Sequence, residues 1–198
     1  LTSSLAVYPP ATVFFEDSAN NEKLPSPNDR FAGMAKLAGE VQAQAYSIEH
    51  GMKISIVRPA NTYGPWDDFD SERAMVVPSF IRRALSGENP FVLRGASQIR
   101  DFIYCEDVAR GMIHMARLEE SRPVNLGSGN GYTLLQLLKS VIGNLENKPE
   151  IILQESQSFG DKQRVLGAER ARSLGWIPKV SLKEGIRKTV EWYLENKK

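Results

Sequence analysis

Lys36 follows Ala32 by one helical turn in the run Asp29-Arg30-Phe31-Ala32-Gly33-Met34-Ala35-Lys36-Leu37-Ala38-Gly39-Glu40. That run reads as the start of a helix: Asn28 or Asp29 can cap it, and no proline follows until Pro59. Ala32, Ala35, Gly39 and Ala43 recur at steps of three and four, so one face is smooth enough for another backbone or a flat ligand to approach. Taken alone, the run is better read as an amphipathic core helix with one solvated lysine. Metal chemistry has no footing, because His50 and His114 share no ligand spacing and the acidic residues are scattered.

The elements that must position these groups alternate between strand and helix. Leu1 to Val7 has the character of a buried strand end running into a loop, and Pro9 to Pro27 is polar and proline-punctuated. After the helix, Met52 to Arg58 alternates and is β-branched, predicting a strand that exits through Pro59-Ala60-Asn61-Thr62-Tyr63-Gly64-Pro65. Open α/β sheets place ligands at such carboxyl-terminal strand ends. A helix is expected over Val76 to Ala84, and Thr133 caps another from Leu134 to about Leu145. Gly127-Ser128-Gly129 lacks the third glycine of a phosphate loop and reads as a turn. A last helix is expected over Ser181 to Tyr193.

With 198 residues, 41% hydrophobic and 25% charged, the chain can bury a sizeable core. Lys and Arg number 25 against 24 Asp and Glu, and no basic run marks a nucleic-acid surface. The single Cys105 excludes an internal disulfide framework, and no apolar run reaches membrane-spanning length. The expectation is a cytoplasmic protein that binds neither nucleic acid nor membrane.

Ser3-Ser4-Leu5-Ala6-Val7-Tyr8, Ala32 to Glu40, Arg58 to Pro65, Gln98 to Ala109 and Leu174 to Pro178 resemble, in order, the signature blocks of the extended short-chain dehydrogenase/reductase family. Its members are NAD(P)-dependent sugar-nucleotide epimerases, dehydratases and reductases. The resemblance implies a Rossmann-like doubly wound α/β sheet with a smaller substrate-binding lobe. Residues 1–64 would be the C-terminal part of the cofactor domain and 65–198 mostly the substrate lobe, with segments around 98–126 returning to the first. The sequence holds no glycine-rich dinucleotide loop, so the chain reads as the C-terminal two thirds of such a protein, starting inside a domain.

The resemblance also carries roles. It puts Ser4 at the hydroxyl position, Lys36 at the lysine position, and Ala32 where the family has its catalytic tyrosine. A tyrosine, ordinarily near pKa 10, becomes a usable base when a neighbouring ammonium lowers its pKa. Alanine moves no proton, so the expectation is a scaffold with the general base removed. Ser3, Lys36, Pro59 and Ala60 would contact NAD or NADP; Asn61, Val77, Arg100 and Arg164 would contact a nucleoside-diphosphate sugar. Turn capping is the competing role for Asn61, pairing to Asp101 or Asp107 for Arg100, and a solvated loop charge for Arg164.

Leu5-Ala6 stand where family dehydratases carry an acid, which argues against dehydration. Tyr63 to Phe69 and Val76 to Arg83 are similar to GDP-fucose synthases, yet Leu5 and Met75 replace the cysteine and histidine that those use for epimerisation. The implied activity is hydride-transfer epimerisation of a sugar nucleotide. The alternatives are a fucose-synthase-like epimerase/reductase and a non-catalytic binding or assembly module. The smooth face of the 29–50 helix further suggests a homodimer.

Overall fold

The computed structural model describes residues 1–19, 22–146, 148–154 and 160–196. Along the chain run β1 (Val13–Phe14), α1 (Arg30–His50), β2 (Val57–Pro59), β3 (Asn61–Tyr63), α2 (Val76–Leu85), β4 (Phe91–Arg94), β5 (Ile99–Arg100) and β6 (Phe102–Tyr104). There follow α3 (Cys105–Leu118), β7 (Val124–Leu126), β8 (Tyr132–Thr133), α4 (Leu134–Ile142), β9 (Ile151–Gln154), β10 (Gln163–Leu166), α5 (Glu169–Ser173) and α6 (Leu182–Asn196).

β2 sits between two parallel neighbours. Thr2 bridges Val57 on one side, and β7 pairs on the other with Val57 opposite Val124 and Pro59 opposite Leu126. The strand expected from Met52 is regular only over Val57–Pro59. Ladder partners reach it late: Leu1 N donates to Ser55 O at 2.7 Å and Val124 N to Ile56 O at 2.9 Å.

At Ala60 the chain changes neighbours. Ala60 N still donates to Leu126 O (3.0 Å), whereas Asn61 N donates to Asp101 O (3.2 Å), and β3 continues beside β6. The two parallel strands flanking this segment therefore diverge at Asn61, opening the kind of crevice in which α/β sheets hold ligands. A four-stranded sheet runs in the order β1-β10-β5-β8, parallel except for β8, and β4 pairs β9.

The apolar side chains bury into two clusters. One gathers Leu5, Val7, Tyr8, Phe14, Leu37, Val57, Ile103, Met115, Leu126, Leu166 and Trp176 around the β2–β7 ladder. The other packs α2, α4 and α6 on β3, β4 and β6 through Phe80, Phe91, Leu137, Ile186 and their neighbours. Residues 166–176 thus return to the first cluster, as do Ile103 to Leu126.

α1 shows how local sequence and packing share the work. Gly51 closes it in the left-handed conformation (φ 64°), its N–H on Ser47 O. Its inner face is Gly33, Leu37, Glu40 and Ala43. The smooth face of Ala32, Ala35 and Gly39 lies roughly 90° around the helix, at about 100° per residue, and stays open. Gly33 fixes that rotation, since a Cβ there would strike the Ala6 carbonyl and Pro25. Asp29 is the N-cap residue by position but makes no capping hydrogen bond. By contrast Thr133 caps α4 in a reciprocal box with Gln136, although that helix stops at Ile142, short of Leu145.

Candidate functional site

The first group of residues gathers where the chain leaves the β2 ladder. Ser4 is extended and N-caps a single 3-10 turn, Leu5–Val7, its Oγ accepting from Ala6 N at 3.1 Å. That bond occupies the oxygen and leaves the hydroxyl hydrogen to donate. Ser3, 3% exposed, has an Oγ with no partner among the described residues, an orphaned polar atom of the sort a bound group satisfies. Lys36 Nζ donates to Thr2 O at 3.2 Å, so the lysine reaches back over the same strand end. Ala32, one turn earlier, is exposed. Pro59 is half-buried and Ala60 buried at the ladder switch beside them. These residues fit the nicotinamide end of a dinucleotide: an orphaned hydroxyl, a free donor and an ammonium around one strand end.

The second group is a pair of arginines. Arg100 on β5 and Arg164 on β10 are direct partners in a parallel ladder, so their side chains share a face of the small sheet. Arg164 ion-pairs with Asp29 and lies 3.6 Å from Asp161, whose carboxylate also accepts from Ser26 Oγ at 3.1 Å. This contact takes Asp29 away from capping α1. Arg164 is consequently a half-buried, paired cation, not a solvated loop charge. Arg100 donates only to Ile99 O (2.8 Å) and Gln98 Oε1 (3.3 Å) and has no carboxylate at ion-pair distance among the described residues. Burial, and then the neighbouring Arg164 charge, hold its pKa below the usual guanidinium value. Asn28 converges on it: a Cβ at Gly160 would lie 3.7 Å from Asn28 Nδ2 and 4.0 Å from Arg100 Nη2.

The carboxylates that compete for Arg100 on paper are committed elsewhere. Asp101 receives Ser128 N (3.0 Å), Ser128 Oγ (2.5 Å), Gly129 N (3.2 Å) and Leu166 N (3.3 Å). Burial nevertheless pushes it up to about 6, the four donors pulling the other way. The Gly127-Ser128-Gly129 turn therefore cradles the protein's own carboxylate, and a Cβ at Gly127 would collide with it. Asp107, fully buried, accepts from Lys179 N and Val180 N at 2.9 Å each and pairs with Arg110.

Asn61 is pinned by two bonds to Asp101 O, from its backbone N at 3.2 Å and its Nδ2 at 2.8 Å. Its Nδ2 keeps a second hydrogen to donate to a ligand. The Val77 side chain, 2% exposed, packs in the second core, so only the backbone at the start of α2 is placed to meet a substrate. Among the described residues no group of three or more His, Cys, Asp or Glu could hold a metal.

A buried polar network behind the first group was not singled out from the sequence. Arg58 donates from Nε and Nη2 to the two oxygens of Glu40 (2.9 and 2.7 Å) and from Nη1 to Tyr8 OH (3.1 Å) and Glu16 O (2.8 Å). Tyr8 OH donates to Asn125 Oδ1, and Asn125 Nδ2 reaches Phe14 O and Gly167 O. Burial raises the Tyr8 phenol to about 12 against the pull of Arg58, so it stays protonated. The network ties the Ser4 turn, α1, β2 and β7 into one body. Its signal in the sequence is faint: a Glu on the inner face of a helix and an Arg at a strand end.

A strand that changes its parallel neighbour at Asn61 is a feature of the α/β class that holds ligands at such switch points. The family model described as the NAD dependent epimerase/dehydratase family matches residues 1–127, and the chain belongs to that family. A probable GDP-L-fucose synthase 1 of Oryza sativa subsp. japonica is 34% identical over 182 residues, covering 86% of this chain and 54% of that protein. The chain thus spans about half the length of that relative. The crystal structure of the Thermotoga maritima UDP-glucose 4-epimerase with UDP-glucose aligns at TM-score 0.81 and 29% identity, over 100% of this chain and 63% of that one. The Thermus thermophilus UDP-glucose 4-epimerase complex with NAD aligns at TM-score 0.77 and 28% identity, over 98% of this chain and 63% of that one. Among the described residues no helix is long and apolar enough to cross a membrane.

Proposed function

We propose that this chain is the substrate-binding part of a hydride-transfer sugar-nucleotide epimerase in which Ala32 has removed the general base. The observation that carries the reading is Arg100: half-buried, beside a second arginine, and without a carboxylate of its own among the described residues. A diphosphate supplies the missing charge and accepts both arms of the fork. Asn61, held at the strand divergence, offers the second hydrogen of its amide nitrogen to the same ligand, and the α2 N-terminus offers backbone N–H groups.

On the other side of the crevice Ser4 would donate its hydroxyl hydrogen to the reacting sugar oxygen. Ser3, Lys36, Pro59 and Ala60 would hold the nicotinamide ribose end of NAD or NADP, which when bound accepts and returns the hydride. Lys36 would orient the ribose, yet with alanine one turn before it no side chain stands ready to take the hydroxyl proton. Losing a general base costs roughly 10²–10⁴-fold in rate. Ala32 thus equally favours the second reading, a nucleotide-sugar-binding module without turnover.

Calorimetric titration with UDP-glucose and a GDP-sugar tests the core of the proposal. A charge-assisted hydrogen-bond pair contributes about 1.5–3 kcal/mol, so Arg100→Ala should weaken binding roughly 10- to 100-fold. Equal affinity in the variant would remove Arg100 from the site. The proposal includes a homodimer through α1, whose Ala35, Ala38, Gly39 and Ala45 line an open groove with Leu24 and Met34. A monomeric mass by light scattering at working concentration would overturn that part.

A further inference from the structure

Asn130 and Gly131 are the chain's single asparagine–glycine pair, and they form the short link between the Asp101 cradle and β8. On one side Ser128 N and Gly129 N donate to the two Asp101 carboxylate oxygens at 3.0 and 3.2 Å. On the other, Tyr132 and Thr133 lie opposite Arg100 and Ile99 in the β5–β8 ladder. Packing forces glycine at the second position, since a Cβ on Gly131 would come within 2.6 Å of Ile99 Cγ2 and 3.1 Å of Val165 Cγ2.

The pair is also open to chemistry. Both residues are exposed. Among the described residues the Asn130 carboxamide donates only from Nδ2 to Ser128 O, at 3.3 Å, beyond the usual range for an N–H donor, and Gly131 N has no partner. Without a side chain, Gly131 neither shields its own nitrogen nor restricts the backbone rotation that carries it onto the preceding carboxamide.

We propose that Asn130–Gly131 is a site of spontaneous modification by water, whose isoaspartyl product drives the Asp101 cradle and β8 apart. The Gly131 nitrogen, its proton lost to solvent base, bonds to Asn130 Cγ; the Cγ–Nδ2 bond breaks, and the side-chain nitrogen takes protons from water and leaves as ammonia. Water then opens the five-membered imide. Cleavage between the nitrogen and Cγ leaves aspartate, whereas cleavage between the nitrogen and the Asn130 main-chain carbonyl leaves isoaspartate. Nothing is oxidised or reduced. In isoaspartate the main chain runs through Cβ and Cγ and is one atom longer. A short link held at both ends has no slack for that atom, so Ser128 and Gly129 are drawn off Asp101 or Tyr132 off its place beside Arg100. The aspartate keeps the chain length and adds only an exposed charge.

Incubation of the full chain at mildly alkaline pH and physiological temperature, followed by peptide mass mapping, tests the chemistry. Asn130 should convert at least about 10-fold faster than any other asparagine, with electron-transfer fragmentation showing isoaspartate. Asn130→Gln should stay unmodified at that position over the same period. The purified isoaspartyl form is then compared with Asn130→Asp, which has the new charge on an ordinary main chain. It should melt roughly 3–12 °C lower, from loss of one charge-assisted hydrogen bond at the cradle. Asn130 surviving in the folded chain while a peptide of the same sequence converts fully, or an isoaspartyl form that melts with Asn130→Asp, would each overturn the proposal.

Discussion

Removing one partner of the Arg58–Glu40 pair measures how firmly the site is held. The two side chains are 2% and 4% exposed, and both oxygens of Glu40 are engaged. Glu40→Ala leaves a guanidinium charge in the interior with two remaining acceptors, Tyr8 OH and Glu16 O. Breaking a buried pair in this way costs about 3–5 kcal/mol. At roughly 2–4 °C per kcal/mol for a chain of this size, Tm should fall by about 6–20 °C. Replacing both partners by apolar residues of similar volume, Glu40→Leu with Arg58→Met, should recover most of the loss. The residual is the donor withdrawn from Tyr8 and Glu16, on the order of 1–2 kcal/mol. Urea denaturation of both single variants and the double variant gives the coupling, with an unchanged m-value confirming that the comparison is sound. A Glu40→Ala loss below about 1 kcal/mol, or a double variant worse than either single one, would refute the reasoning. Because the pair joins α1 to β2, it ties the helix that carries Lys36 to the strand that leads into Asn61. Glu40→Ala should therefore weaken nucleotide-sugar binding even below its melting point.

Ala32→Tyr places a phenol one turn before Lys36, and by ultraviolet difference titration the new group should ionise below the ordinary value near 10; a value at or above that would show that the lysine is not near enough to act on it. Asp101 makes stability pH-dependent. Its folded pKa of about 6 exceeds the unfolded value near 4, so the native state holds a proton that the unfolded state has released between those values. Stability should then fall as pH rises from about 4 to about 6, by at most roughly 3 kcal/mol from this group, and Asp101→Asn should flatten that slope. Identical slopes in the two proteins would assign the dependence to other carboxylates.

Segments whose structure depends on near neighbours were readable in advance. The capping box at Thr133, the length of α1 and the turn at Gly127 rest on capping, proline spacing and glycine conformations, all of them local. The likeness of five ordered blocks to one family was likewise present in residue identities. The partners of charged side chains were not. Asp29 reads as a helix cap because an adjacent N–H is the nearest donor in sequence, but in space Arg164, far along the chain, competes for it and wins.

The same physics separates the two halves of the answer. Periodicity, turn chemistry and family blocks act over a few residues, so the sequence by itself determined an α/β chain of this family with alanine at the tyrosine position. Which arginine lacks a carboxylate partner among the described residues, which face of α1 turns inward, and that Asp101 fills the glycine turn depend on contacts between segments far apart in the chain. Burial favours a partner for each cation and donor, and sequence distance places no limit on where that partner lies.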